Sequence, residues 1–506
     1  MLASAYTAVS AGLNAHRIQV EVDIGRGMRT FTIVGLPANS VSESRTRVKS
    51  ALVNSGYTFP KGRVTCNLAP GDIRKQGTGL DLAIAIAILS AQGRIAKVHL
   101  AQTLLLGEVA LDGRLLPATG ALPSILKAKS LGFTTVISPP SNASLAAHIE
   151  GITSLSASHL GAVVEHLCEL HQLPLGVPDK LSQPVASDID FAEVCGQQRA
   201  VRAAEIAVAG RHNLLMAGPP GCGKSMIAKR LATLLPPMTA NDRLQNLALY
   251  QLARLEDGGR AKHLERPFRA PHHTISRAGL VGGSGDALPG EISLANHGIL
   301  FLDELPEFSR PTLECLRQPL EDQQVTIARA SIRATYPCAF ILIAAMNPCP
   351  CGYLGHATIT CDCSHNALAR YRQKLSGPLI DRFGLQVDLQ PVPTAMLRSP
   401  IPNESSRSIR KRIEAARKFR CKNGETCLSE RQPLSKLLAQ LESAATSTLE
   451  SYGRTHQLSA RGLAKTLSIA RTIATLDQRL KIGTEHLSEA LSYRQTLTAK
   501  GGPKMG

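Results

Sequence analysis

Tryptophan is absent from this chain, and aromatic residues make up only 4% of its 506 positions. Stacking platforms for nucleic-acid bases need aromatic faces, so they are not expected here. Long apolar runs are missing too. The stretch from Leu82 to Leu89 falls far short of the roughly 18 to 20 residues that cross a bilayer. The N-terminus lacks the basic-then-apolar pattern of a secretory signal. A soluble cytoplasmic protein with no membrane partner is expected, and in that compartment the twelve cysteines are not expected to pair as disulfides. Negative charge is scarce: 39 Asp and Glu face 57 Lys and Arg, for a net charge of +18. No internal repeat or low-complexity block appears, and the length suits about two to four domains.

Against that background one string stands out. Gly218, Pro219, Pro220, Gly221, Cys222, Gly223, Lys224 and Ser225 fit G-x-x-x-x-G-K-[ST], a phosphate-binding loop. The apolar run 213–217 reads as a buried strand leading in, and 226–232 as the helix leading out. The glycines let backbone N–H groups turn toward phosphates at the positive end of that helix. Lys224 is expected to reach the β- and γ-phosphates of ATP, and Ser225 to hold Mg²⁺. Cys222 sits at a permissive position and reads as a small filler.

Such a site needs an acid at the tip of a second buried strand. Gly298-Ile-Leu-Phe-Leu-Asp303-Glu304 supplies it, with four apolar residues in a row as parallel central strands have. Asp303 is expected to hold Mg²⁺ through water, and Glu304 to polarise the attacking water. A third apolar strand, 339–345, leads to Asn347, whose amide could position that water. Arg382, after a proline turn, and Arg461, opening a late helix, are candidate guanidiniums for the charge that phosphoryl transfer spreads over oxygens.

From Asp190 to about Arg494 the order of motifs resembles the AAA+ superfamily, and within it the bacterial ComM-type, magnesium-chelatase-like branch. The likeness is carried by Arg266-Pro-Phe-Arg-Ala-Pro-His-His-Thr274, Pro289-Gly-Glu-Ile-Ser-Leu-Ala-Asn296, Ala345-Met-Asn-Pro-Cys-Pro-Cys-Gly352 and Ser376-Gly-Pro-Leu-Ile-Asp-Arg382. It implies that Gly196 and Gln197 cradle adenine, that Asn347 is sensor 1, and that Arg461 is sensor 2 on a C-terminal helical lid. Arg382 is then a finger offered to a neighbouring subunit, which implies a homo-oligomeric ring, most often a hexamer. Phe383-Gly384 departs from the Ile-Asp common in this branch, toward the magnesium chelatases themselves.

Residues 1–172 read as a separate unit. Asn67-Leu-Ala-Pro70, Gly79-Leu-Asp-Leu-Ala83 and Gly107-Glu-Val-Ala-Leu-Asp-Gly-Arg-Leu-Leu-Pro117 resemble the protease domain of Lon, a ribosomal-protein-S5-domain-2-like fold. Lon needs a serine nucleophile with a lysine base in reach. The likeness puts Gly79 and Leu122 at those positions, with Ser124 and Lys127 at other offsets, so a domain without the catalytic dyad is expected.

The basic excess is uneven. Residues 189–506 hold 41 of the Lys and Arg against 27 Asp and Glu, a net of +14. So basic a motor favours a polyanion as the thing moved. Candidate DNA contacts are Arg266, Arg269 and Arg277 in the insertion 262–290, and Arg329 and Arg333 in the alternating, hairpin-like stretch 323–335. Insertions so placed resemble the pore hairpins of minichromosome maintenance helicases, and phosphate contacts need no base sequence.

Cys349, Cys351, Cys361 and Cys363 form two C-x-C pairs around a short loop. Three readings stand: a tetrahedral Zn²⁺ site, reduced free thiols, and a redox switch. His356 and His365 lie near enough to substitute as ligands, whereas His272 and His273 read as ordinary residues outside their motif.

The expected architecture is α/β. A Lon-protease-like domain spans 1–172, a linker 173–188, an AAA+ parallel-sheet core 189–395, a helical lid 396–498 and a disordered tail 499–506. The resemblance implies an ATPase that drives branch migration on DNA, extending heteroduplex during natural transformation. The alternative is a chelatase-like ATPase that remodels a partner protein.

Overall fold

A computed structural model describes residues 1–75, 77–96, 100–118, 120–178, 189–253, 255, 265–283, 287–328, 333–356, 358–393, 396, 404–424, 432–456 and 459–494. Arg329, most of the expected linker and the expected tail lie outside the described residues.

Alternation decides the first sheet. Along Leu2–Ala11 and Asn14–Gly25, buried side chains recur at every second position, the period of strands with one face on a core. They pair antiparallel, and the sheet continues with Arg63–Ala69 and then Thr30–Val34. Helix Asp81–Ala91 is apolar on all sides and wholly buried, so it forms the spine of this unit. Its one charge, Asp81, accepts from Arg47 Nε at 2.7 Å and from the Ser44 hydroxyl. That pairing offsets the cost of burying a carboxylate. Burial still pushes the Asp81 carboxyl up, against the pull of Arg47 and Ser44. A three-stranded parallel sheet of Thr103–Leu105, Thr135–Ser138 and Thr153–Ser156 completes the unit.

The second unit is built on five parallel strands in the order Phe268–Arg269, Ile299–Leu302, Ile341–Met346, Leu214–Ala217, Leu385–Asp388. The three inner strands are buried at every residue. Alternate side chains feed two different cores: Leu214 and Met216 face helices Gln198–Gly210 and Lys224–Leu234, while Leu215 and Ala217 face the opposite layer. Both faces being covered, the sequence shows unbroken apolar runs. The first core also takes in C-terminal helices Ser406–Lys422, Ala460–Leu476 and Thr484–Ser492. The second takes in the expected hairpin, where Gln324–Ala328 pairs antiparallel with Arg333–Pro337. The α/β expectation holds: a mixed first unit, a parallel-sheet core and a helical C-terminal region.

The two units are packed together. Leu122 and Ile125 of helix Leu122–Lys127 share an apolar cluster with Leu244, Leu247 and Ala248 of helix Ala240–Leu252. The turn at Gly12, left-handed at φ +65, presses on the hairpin so closely that a Cβ there would lie 3.1 Å from that of Ala334. Among the described residues, no helix is long and apolar enough to cross a membrane.

Candidate functional site

Parallel strands place all their trailing loops along one edge, and the crevice there is where such sheets hold ligands. The phosphate loop leaves Leu214–Ala217 at that edge. Gly221 (φ +77) and Gly223 (φ +90) fold it back over the start of helix Lys224–Leu234. Gly218 is needed for a different reason, because a Cβ there would lie 2.7 Å from the Leu389 carbonyl oxygen. The Gly218 N–H donates to Met346 O at 3.2 Å, tying the loop to the neighbouring strand.

Lys224 is buried. Its Nζ donates to Gly218 O at 2.6 Å, Pro219 O at 2.9 Å and Asn347 Oδ1 at 3.1 Å. Ser225 Oγ donates to Asp303 Oδ2 at 2.7 Å. Residues following three separate strands therefore converge within hydrogen-bond distance. This donor set fits ATP with Mg²⁺: a lysine held by neutral oxygens can exchange them for phosphate oxygens, and a hydroxyl against a carboxylate suits a hard, oxygen-binding ion. Burial pushes the Cys222 thiol up, as befits a filler.

Gly196 and Gln197 flank the same loop. Gln197 Nε2 donates to Gln390 O at 2.6 Å and to Cys222 O at 3.4 Å. Asn347 is held from behind by the Tyr371 hydroxyl, which donates to its carbonyl at 3.2 Å. Glu304 adopts φ +51, and its carboxylate lies 3.2 Å from Nδ1 of His273. Sequence reading set His273 aside and did not single out Tyr371. A pair of histidines just after the edge strand Phe268–Arg269, itself next to the Asp303 strand, was the available signal for the first.

Arg382 and Arg461 lie elsewhere. Arg382 precedes Leu385, which pairs with Leu214 at the amino end of the phosphate-loop strand. Lys224 follows the carboxyl end, so roughly 13 Å of strand stands between them. The resemblance gave the two arginines separate settings; the structure brings both to one carboxylate. Glu321 Oε1 lies 2.7 Å from Arg382 Nη2 and 2.7 Å from Arg461 Nη2. Beside them opens a cavity of about 500 Å³, where Arg211, Arg382, Arg461 and Lys465 outnumber Glu321 and Asp322.

Two of the arginines expected to meet DNA have partners within the fold. Arg266 donates to Pro236 O and His297 O, each at 2.6 Å, and burial pushes its guanidinium down to about 10. Arg269 lies on the edge strand of the core sheet and grips both oxygens of Glu291 at 2.6 Å. Both are engaged within the fold, with side chains that remain partly exposed. Arg277 and Arg333 are exposed, the second at the turn end of the hairpin, where it pairs with Ala328.

In the first unit Leu122 is fully buried, and a Cβ on Gly79 would meet that of Ala118 at 3.1 Å. Ser124 is buried while Lys127 is exposed. The four cysteines do assemble, with their Sγ atoms all within 4.8 Å of one another.

Three sequence families match the chain along its length. Subunit ChlI of Mg-chelatase matches residues 20–142, magnesium chelatase subunit ChlI matches 190–397, and the ChlI C-terminal family matches 403–494. The chain is 40% identical to the protein YifB of Escherichia coli over 97% of each chain. It is 38% identical to the competence protein ComM of Haemophilus influenzae, again over 97% of each. A segment covering 32% of the chain is 28% identical to 22% of Lon protease 1 of Bacillus subtilis.

Proposed function

This chain belongs to the YifB and ComM family of magnesium-chelatase-like AAA+ ATPases, and from that premise we propose that it is a ring-forming motor that moves on DNA. The convergence of Lys224, Ser225, Asp303 and Asn347 carries the ATPase part of the reading. When bound with ATP, Mg²⁺ neutralises charge on the phosphate oxygens. Lys224 exchanges its carbonyl partners for phosphate oxygens. Glu304, released from His273, accepts a hydrogen bond from the attacking water, and Asn347 holds that water in line. Arg382 and Arg461 are too far from their own Lys224 to serve it. They complete the nucleotide site of the next subunit, and Glu321 holds them until its phosphates arrive. A head-to-tail interface of this kind closes into a ring, with six subunits as the expected number.

The cargo is read from charge. Residues 189–506 carry the net charge of +14, and Arg277 and Arg333 are exposed on the two insertions. The Haemophilus relative is a competence protein by name, which supports a role in transformation, where branch migration extends heteroduplex between incoming and resident strands. Residues 1–172 serve as a non-proteolytic unit docked on the core 189–395, and 396–498 form the helical lid. Phe383-Gly384, the departure toward the magnesium chelatases on which the protein-remodelling alternative leans, has a local setting. Phe383 is buried in the core layer that holds the hairpin, and a Cβ on Gly384 would lie 3.1 Å from Ile469 Cδ1, so Gly384 lets the finger segment pass close to helix Ala460–Leu476. Binding to branched DNA should weaken steeply with salt and tolerate any sequence. Salt-insensitive, weak binding would favour the protein-remodelling alternative.

A further inference from the structure

Cys349 Sγ lies 3.3 Å from Cys351 Sγ and 3.7 Å from Cys361 Sγ, and Cys351 and Cys361 are 3.5 Å apart. Cys363 brings the fourth sulfur into the same 4.8 Å sphere. A disulfide needs sulfurs about 2.05 Å apart, so none of the three measured pairs is one. A tetrahedral Zn²⁺ with Zn–S bonds of about 2.3 Å would hold its sulfurs about 3.8 Å apart, close to what is seen. The Leu354 N–H donates to Cys349 Sγ at 3.3 Å, the kind of bond that favours a thiolate. His356 is otherwise engaged: its Nδ1 accepts from the backbone of Thr358 and Ile359 at 3.2 and 3.1 Å. Neither His356 nor His365 belongs to the cluster of donor atoms, which among the described residues is four sulfurs.

The loop these cysteines would close lies against the phosphate loop. Gly352 takes φ +87, and a Cβ there would lie 2.7 Å from Pro220 Cδ. Pro348, Gly352, Leu354 and Gly355 face Gly218 and Pro219 across a small gap. Asn347, which holds Lys224, is two residues before Cys349, and Tyr371, which holds Asn347, follows Cys363 on helix His365–Gln373. We propose that the four cysteines bind one structural Zn²⁺, and that this ion clamps the 349–363 loop as a fixed wall of the phosphate loop. The second half of the proposal rests on the ATP-site reading. Without the ion, the two cysteine pairs are joined only by thiol contacts, beside the local Gly352 N–H to Cys349 O bond.

The test is elemental analysis and sulfur-edge or zinc-edge absorption on the full-length protein purified in reducing buffer. About one zinc per chain with four sulfurs at about 2.3 Å is expected, retained in Lys224→Ala and lost in Cys361→Ser. Protein that carries no zinc and takes none up when Zn²⁺ is added overturns the site. Because Cys361→Ser could fold poorly, the wild type is also stripped with a mercurial and a chelator, then reloaded with Zn²⁺. A fluorescent ATP analogue should bind about tenfold more weakly after stripping and recover on reloading, in line with the effect of disturbing a shell around a site. Unchanged analogue binding overturns the clamp. Zinc-loaded protein that binds no ATP overturns the nucleotide reading and the clamp with it, while the stoichiometry stands.

Discussion

Arg382→Ala is the perturbation that separates a finger acting across subunits from one acting at home. Arg382 is only 7% exposed and gives hydrogen bonds to Glu321, Pro378 O and Arg317 O. Truncation removes these, yet Glu321 keeps Arg461 as a partner, so no carboxylate is stranded. The cost to stability should be about 1–3 kcal/mol, within the roughly 5–15 kcal/mol a domain has. The cost to turnover should be far larger. A guanidinium in this role is worth about 10³–10⁵ in rate, or about 4–7 kcal/mol of barrier. ATP binding should be near normal, because the contact belongs to the neighbour's transition state. The assay is steady-state ATPase of Arg382→Ala mixed with Glu304→Gln, after subunit exchange has been verified. An interface is whole only when an intact Glu304 meets an intact Arg382 from the other chain. In a random equal mixture about a quarter of head-to-tail interfaces qualify, so activity should rise toward about a quarter of wild type from two nearly inactive parents. If both residues worked in one chain, no mixture would contain a whole site. Zero rescue in rings proven to exchange refutes the trans assignment.

Lys224→Ala should lose nucleotide binding, whereas Glu304→Gln should bind ATP and stall; wild-type hydrolysis by Glu304→Gln, measured as phosphate release, would contradict the role of Glu304. His273→Ala removes the partner of Glu304 in the free site. A partly exposed contact of this kind is worth up to about 1 kcal/mol, so DNA-free turnover should rise about two- to fivefold, and an unchanged or lower rate argues against a restraining role. Replacing Arg329 and Arg333 together should flatten the dependence of DNA affinity on salt, by about one power of concentration per lost phosphate contact, while basal ATPase persists.

The nucleotide site was legible because chemistry and folding share the same residues there. Inner strands buried on both faces must be apolar runs, and each run ends where the sheet meets solvent, so Lys224, Asp303 and Asn347 announce themselves. The fold class followed from the same runs. What the chain hid were partnerships between distant segments. Arg266 looked like a free cation in a glycine- and proline-rich stretch, but its partners are carbonyls of Pro236 and His297, some thirty residues away on either side. Arg269 sits on a strand only two residues long, too short for any periodicity to reveal. Glu321 has no local pattern that would mark it as the common partner of Arg382 and Arg461. His273 was hidden for the same reason, since its approach to Glu304 depends on two strands being neighbours. The docking of helix Leu122–Lys127 on helix Ala240–Leu252 likewise joins apolar positions that each read only as ordinary core.

Movement itself is the decisive readout: a synthetic four-way junction with homologous arms, labelled on one strand and incubated with the purified protein, ATP and Mg²⁺. A DNA motor of the proposed kind should give strand exchange that requires ATP hydrolysis, proceeds on any sequence, falls with rising salt, and is lost in Glu304→Gln and in Arg382→Ala. A robust ATPase that leaves the junction unmoved and is stimulated by no form of DNA would contradict that role, and would make a protein the cargo of this ring.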